Sequence, residues 1–160
     1  ITCRDWSSDV CSSDLLHFCP DVVKEYLDKD LLPITCGDVL VDRQQGCTIW
    51  STEKILAFLA DYFLQQGVKV NKIVHVTEVA GFLDKQGQLV PEITAKTWPK
   101  FRQDLRHTRG FDVTGGMGLK IEESLNLAKL GIESVIISGM LKNNLYWALT
   151  NQDCVGTTIR

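Results

Sequence analysis

Apolar positions along this 160-residue chain change period several times, and each change marks an element. Ile55, Leu56, Leu59, Ala60, Phe63 and Leu64 recur at i, i+4 and i+8, which predicts a helix with one buried face. Ser51 or Thr52 is placed to cap its start, and Gly67 to stop it. Lys72 to Thr77 reads as a strand. Ser134 to Ser138 is apolar through its centre, the composition of a strand covered on both faces. Ile121 to Leu130 returns to helical spacing and ends at Gly131. Asp21 to Asp30 predicts a short helix stopped by Leu31-Leu32-Pro33. Ile34 to Val41 and Cys47 to Trp50 predict a hairpin across the five-residue loop Asp42 to Gly46. Gly81 to Val90 predicts a loop with a turn at Lys85-Gln86-Gly87, Ala95 to Leu105 a weaker helix, Asn143 to Leu149 a helix and Val155 to Ile159 a closing strand. Such alternation predicts a layered α/β fold with a largely parallel sheet. Ligands in these sheets collect beyond the carboxyl ends of the strands, so two loops qualify, Thr77 to Asp84 and Asp112 to Gly118.

The first fifteen residues do not fit this pattern. Ile1 to Leu15 has no apolar period of either kind and crowds four serines, three aspartates and two cysteines together. Asp5 to Leu15 resembles the in-frame translation of a common sequencing-library adapter. No secretory signal is present in it, because a continuous apolar core is lacking. Residues 1–15 are therefore expected to be a non-native tail, and residues 16–160 the domain. Setting the tail aside moves the net charge from −3 to −1, because Arg4 leaves with Asp5, Asp9 and Asp14. Neither a nucleic-acid footprint nor an acidic solvating tail is implied. No apolar run approaches the roughly 18 residues of a membrane span. Four cysteines remain, Cys19, Cys36, Cys47 and Cys154, with no CxxC pair among them. Three lie in apolar or β-like runs, so buried free thiols in a reducing cytoplasm are expected rather than a metal or disulfide site.

Candidate chemistry concentrates in Asp112-Val113-Thr114-Gly115-Gly116-Met117-Gly118-Leu119-Lys120, just ahead of the predicted helix. Adjacent glycines open the backbone, so that free N–H groups can face an anion while the helix dipole adds positive potential. Lys120, in the first turn, would bring a full charge to the same place. Taken alone, Gly-Gly-Met-x-x-Lys leaves two explanations open, a plain turn with a cap and an anion cradle. A Walker-type loop is excluded because Gly116 stands where its lysine belongs, and neither a dinucleotide fingerprint nor HExxH occurs. His17, His75 and His107 are far apart in sequence. His75, within an apolar strand, reads as a satisfied core residue. Arg106-His107-Thr108-Arg109 reads as a solvated face, with phosphate attraction as the sharper alternative.

Taken in order, several segments resemble the amino acid kinase superfamily, and within it the isopentenyl phosphate kinase branch. Asp112 to Met117 with Lys120-Ile121-Glu122-Glu123 is similar to the signature loop and helix. Gly37-Asp38-Val39 with Gly46-Cys47-Thr48-Ile49 is similar to the GDxxxD hairpin. Val76 to Asp84 resembles the strand and nucleotide loop, and Gly156-Thr157-Thr158-Ile159 the closing strand. The resemblance implies a three-layer αβα sandwich with a mainly parallel sheet, incomplete at the N-terminus. It implies transfer of the γ-phosphoryl group of ATP, accompanied by Mg²⁺, to isopentenyl phosphate, in a cytoplasmic enzyme that is a homodimer at full length and engages neither nucleic acid nor membrane.

The same resemblance assigns roles residue by residue. Lys120 would bridge the ATP phosphates and stabilise the transition state. Thr114, Gly115 and Gly116 would cradle the phosphates, and Thr77, Glu78, Gly81 and Asp84 would line the nucleotide. Gly37, Asp38 and Thr52 match substrate-side positions, and Glu53 the acid that orients catalytic lysines. Some positions depart from the family pattern. Thr52 and Glu53 stand where it usually has Gly and Asp. Glu78, Ala80 and Leu83 stand where it has Asp, Asp and Tyr or Phe. The family's upstream glycine-rich segments, with a phosphate-binding lysine and a substrate-binding histidine, have no match, so the chain is expected to be inactive alone. An acylamino acid kinase, a nucleoside monophosphate kinase and a non-catalytic nucleotide-binding regulatory module are the alternatives.

Overall fold

The structure, a computed structural model, describes residues 19–42, 46–105 and 116–160. The chain divides into two compact units, Ile1–Tyr62 and Phe63–Arg160.

In the first unit, helix α1 (Pro20–Asp28) opens on a proline at a position where the missing N–H costs nothing. Strands β1 (Asp38–Asp42) and β2 (Gly46–Trp50) form an antiparallel ribbon in which Asp38 pairs with Trp50 and Asp42 with Gly46. The hairpin loop is thus shorter than the sequence suggests, with residues 43–45 between the strands. Val39 pairs with Ile49 and Val41 with Cys47, so these four share one face, and all four are exposed. A two-stranded ribbon has no second layer to cover that face. This corrects the expectation of buried thiols. Cys47 is exposed on the ribbon, Cys19 at the entry to α1 and Cys36 in the irregular stretch before β1, while Cys154 is half-buried. An apolar neighbourhood in sequence does not bury a thiol where the chain makes no covered element. All four are free thiols in the structure.

Helix α2 (Thr52–Gln65) carries the boundary between the units. Ser51 caps it: the Ser51 hydroxyl accepts from Lys54 N at 3.4 Å and the Ser51 carbonyl from Ile55 N at 3.1 Å. Ile55, Ala57, Ala60 and Phe63 are buried, and only Thr52 and Gln65 of this helix are exposed. It is therefore covered nearly all round rather than along one stripe.

The second unit holds β3 (Lys72–Thr77), β4 (Glu92–Ile93), α3 (Trp98–Leu105), α4 (Gly116–Lys129), β5 (Glu133–Ser138), α5 (Asn144–Leu149) and β6 (Gly156–Ile159). Four strands form one sheet in the order β3-β5-β6-β4. β3 with β5 and β4 with β6 are parallel, while β5 and β6 are antiparallel. The pleat divides the core. Ile93, Ile136 and Ile159 pack with Ile121 and Leu125 of α4 and Trp98 of α3. Val135 and Ile137, pointing the other way, pack with Ala148 of α5 and with Val74. Helices on both faces of a mainly parallel sheet give the expected αβα layering.

Candidate functional site

The carboxyl ends of β3 and β5 lie side by side, with Thr77 paired to Ser138. Two loops leave the sheet there, residues 78–81 and 139–143, and short polar side chains tie them down. Gly139 N donates to Thr77 O at 2.9 Å. The Thr77 hydroxyl donates to Val79 O at 2.9 Å and lies 3.2 Å from Ile137 O. The Ser138 hydroxyl donates to Glu78 O and accepts from Met140 N, both at 3.2 Å.

Beyond Glu78, which is exposed, the chain passes close against β6 at Gly81. Gly81 has φ +153°, and a Cβ there would stand 2.6 Å from Thr157 Oγ1 and 2.9 Å from Thr157 N. Only glycine fits so close to β6. The Thr157 hydroxyl then accepts from Phe82 N at 2.8 Å and donates to Val90 O at 2.7 Å. Asp84 shapes the turn expected at residues 85–87: its Oδ1 accepts from Gln86 N and Gln88 N, each at 2.9 Å. One carboxylate oxygen of Asp84 is thus committed to the loop itself.

Lys120 is half-buried in the first turns of α4. The helix starts at Gly116, whose φ of +47° is a left-handed value that suits glycine. It runs into β5 through the turn at Gly131, and so lies antiparallel to β3 and β5. His75 Nε2 and Ser124 Oγ, both buried, are 3.1 Å apart and fix the register between β3 and α4. His75 is the satisfied core residue its sequence context suggests. Lys120 is four residues toward the helix start from Ser124, about 6 Å along the axis. Thr77 is two residues beyond His75, about 6.6 Å along the strand. Lys120 therefore stands about level with Thr77, at the strand end where the two loops emerge. Thr114, Gly115 and the basic stretch Arg106 to Arg109 lie outside the described residues.

In the first unit, Gly37, Asp38, Thr52 and Glu53 gather at the junction of the ribbon with α2. Gly37 N donates to the Thr52 hydroxyl at 3.3 Å. A Cβ at Gly37 would stand 2.8 Å from Trp50 O and 3.1 Å from Thr52 N. Asp38 is exposed and accepts from Val39 N at 2.7 Å. Glu53 is half-buried in the first turn of α2. The side chain that Thr52 adds, relative to the glycine usual in the resembling family, thus takes up the amide of Gly37.

Sequence reasoning passed over Ser138, Thr157 and the buried carboxylate of Glu123, which lies on α4 three residues after Lys120. No sequence signal sets Glu123 apart from its charged neighbour Glu122; only the packing of α4 buries it. Among the described residues no group of three or more His, Cys, Asp or Glu is arranged to hold a metal ion. Nor is any helix among them long and apolar enough to cross a membrane.

Known proteins resemble the chain over most of its length. The model of the amino acid kinase family matches residues 7–138. An isopentenyl phosphate kinase of Arabidopsis thaliana is 31% identical across 82% of this chain and 43% of its own length. That of Methanocaldococcus jannaschii is 30% identical across 91% of this chain and 53% of its own. An acetylglutamate kinase of a Janthinobacterium species is 29% identical across 88% of this chain and 44% of its own. Among solved structures, an isopentenyl phosphate kinase superposes with a TM-score of 0.65 at 22% identity, over 89% of this chain and 51% of that one. The chain thus spans about half the length of the relatives it matches. With the family model covering most of the sequence and the αβα layering agreeing with it, the chain belongs to the amino acid kinase family.

Proposed function

We propose that this chain forms the ATP-binding part of a kinase that converts isopentenyl phosphate to isopentenyl diphosphate, an isoprenoid precursor. The observation that carries the proposal is the place of Lys120, a cation in the first turns of α4 held level with the ends of β3 and β5. Transfer breaks the bond from the γ-phosphorus to the ADP oxygen and forms one to a phosphate oxygen of the acceptor. Such transfer needs positioning and neutralised charge rather than covalent participation by the protein. Lys120 supplies charge to the phosphoryl oxygens, Gly115 and Gly116 supply main-chain N–H groups, and Thr77, Glu78, Gly81 and Asp84 line the nucleotide. Mg²⁺ would come with ATP and be held mainly by its phosphates, a mode that needs no dedicated carboxylate cage. Gly37, Asp38 and Thr52 match the acceptor side of the resembling family, and Glu53 matches its acid that orients catalytic lysines. The same proposal takes the whole protein as a cytoplasmic homodimer.

An acylamino acid kinase is the second possibility, favoured by the acetylglutamate kinase relatives. Assays with Mg·ATP and either isopentenyl phosphate or N-acetylglutamate separate the two, run on this chain and on the longer protein read from the upstream coding sequence. The expected outcome is Mg·ATP binding by the chain, with turnover of isopentenyl phosphate in the longer protein alone. Lys120→Met should lower that turnover by at least about tenfold, from the loss of a charged partner. Preference for N-acetylglutamate would reassign the acceptor, and undiminished turnover in Lys120→Met would overturn the site.

A further inference from the structure

The hydrogen bonds at the strand ends converge on one buried amide that the proposed chemistry does not use. Asn144, the first residue of α5, is 1% exposed. Its Nδ2 donates to Ser138 O at 3.3 Å and to Val155 O at 2.8 Å, and its Oδ1 accepts from Val155 N at 2.9 Å. Both amide donors and the carbonyl are therefore engaged with main chain. One side chain joins the end of β5, the start of α5 and the residue before β6. Ser138 carries the tie onward, because its hydroxyl holds Glu78 O, the first carbonyl after β3. Asn143, just before, adopts φ +63°, a left-handed turn that asparagine tolerates and that sends the chain back toward the sheet.

We infer that Asn144, acting through Ser138, is a positioning residue for the nucleotide. It holds the loops 78–81 and 139–143 in fixed relation at the strand ends, where Thr77, Glu78 and Gly81 are proposed to line the nucleotide. The ligand in this inference rests on the proposed function, and the clamp rests on the hydrogen bonds. Lys120 stands on α4, which takes no part in the named bonds, so the clamp acts on the nucleoside side and leaves the polyphosphate side alone. That separation distinguishes positioning from a general structural role.

The test is calorimetric titration of the 160-residue chain with Mg·ATP and with Mg·tripolyphosphate, for the unaltered chain, Asn144→Asp and Ser138→Ala. Asn144→Asp keeps the acceptor for Val155 N but turns a carboxylate toward two carbonyls. Ser138→Ala removes only the hydroxyl, and decides the matter by itself if the first variant does not fold. Both variants should bind ATP about tenfold more weakly and tripolyphosphate within about twofold of the unaltered chain. Unchanged ATP affinity in folded Ser138→Ala, or equal losses for the two ligands, would overturn the positioning role. Failure of the unaltered chain to bind either ligand would instead overturn the nucleotide assignment, and the inference with it.

Discussion

Replacing Thr157 with Val removes one hydroxyl and barely changes the shape of the side chain. That residue is 0% exposed, and its hydroxyl accepts from Phe82 N at 2.8 Å and donates to Val90 O at 2.7 Å. Phe82 is 1% exposed, so water has no ready route to the N–H left behind. Each buried group deprived of its partner costs about 1–3 kcal/mol, and the methyl that replaces the hydroxyl returns about 0.8 kcal/mol. The net loss is about 1–5 kcal/mol, a large part of the ~5–15 kcal/mol that keeps a domain folded. Urea unfolding should show a lower midpoint at unchanged slope, and hydrogen exchange should show loss of protection at the Phe82 amide. Thr157→Ser keeps the hydroxyl, gives up a methyl worth about 0.8 kcal/mol, and should retain the Phe82 protection. A Val variant as stable as the Ser variant, with Phe82 still protected, would refute the claim that this hydroxyl pins the loop.

Two further outcomes follow from the same geometry. Gly116→Ala should destabilise by about 1–2 kcal/mol, because φ of +47° places a Cβ against the following carbonyl, and Gly116→Asn should cost less; equal melting temperatures for all three chains would count against the left-handed helix entry. In a chain with Cys3 and Cys11 replaced by Ser, a thiol reagent should label Cys19, Cys36 and Cys47 quickly and the half-buried Cys154 slowly; uniformly slow labelling would restore the buried-thiol expectation.

Elements with a long or uniform pattern were legible in the sequence, and those fixed by distant partners were not. β3 occupies Lys72–Thr77 as the apolar run suggests, and β5 adds only Glu133 to its predicted run. α4 begins at Gly116, at the glycine pair. β4 has two residues, too few for a period to register, and exists because Ile93 pairs with Ile159. α3 starts at Trp98 rather than Ala95 because Thr94 and Thr97 form a local turn, with Thr94 N donating to Thr97 Oγ1 at 2.9 Å. The place of Lys120 followed from spacing. The roles of Thr157 and Ser138 did not, since their hydrogen bonds reach Phe82 and Glu78, 75 and 60 residues away in sequence.

That distribution of bonds bears on the family departures in the loop after β3. Glu78, Ala80 and Leu83 stand where the resembling family usually carries Asp, Asp and Tyr or Phe. None of those side chains appears in the contacts that fix the loop's path. Glu78 contributes its carbonyl to Ser138, Val79 its carbonyl to Thr77, and Phe82 its N–H to Thr157 and its carbonyl to Val90. Thr77, Ser138 and Thr157 sit in the strands, and each grips main chain rather than a loop side chain. The sheet therefore sets the course of the loop from beneath, with Gly81 the one loop position where the close approach to β6 dictates the residue. Substitutions at Glu78, Ala80 and Leu83 change which groups meet a ligand without touching the hydrogen bonds that set where the backbone runs. A family can in this way hold one architecture at the strand ends while the chemistry presented above it varies.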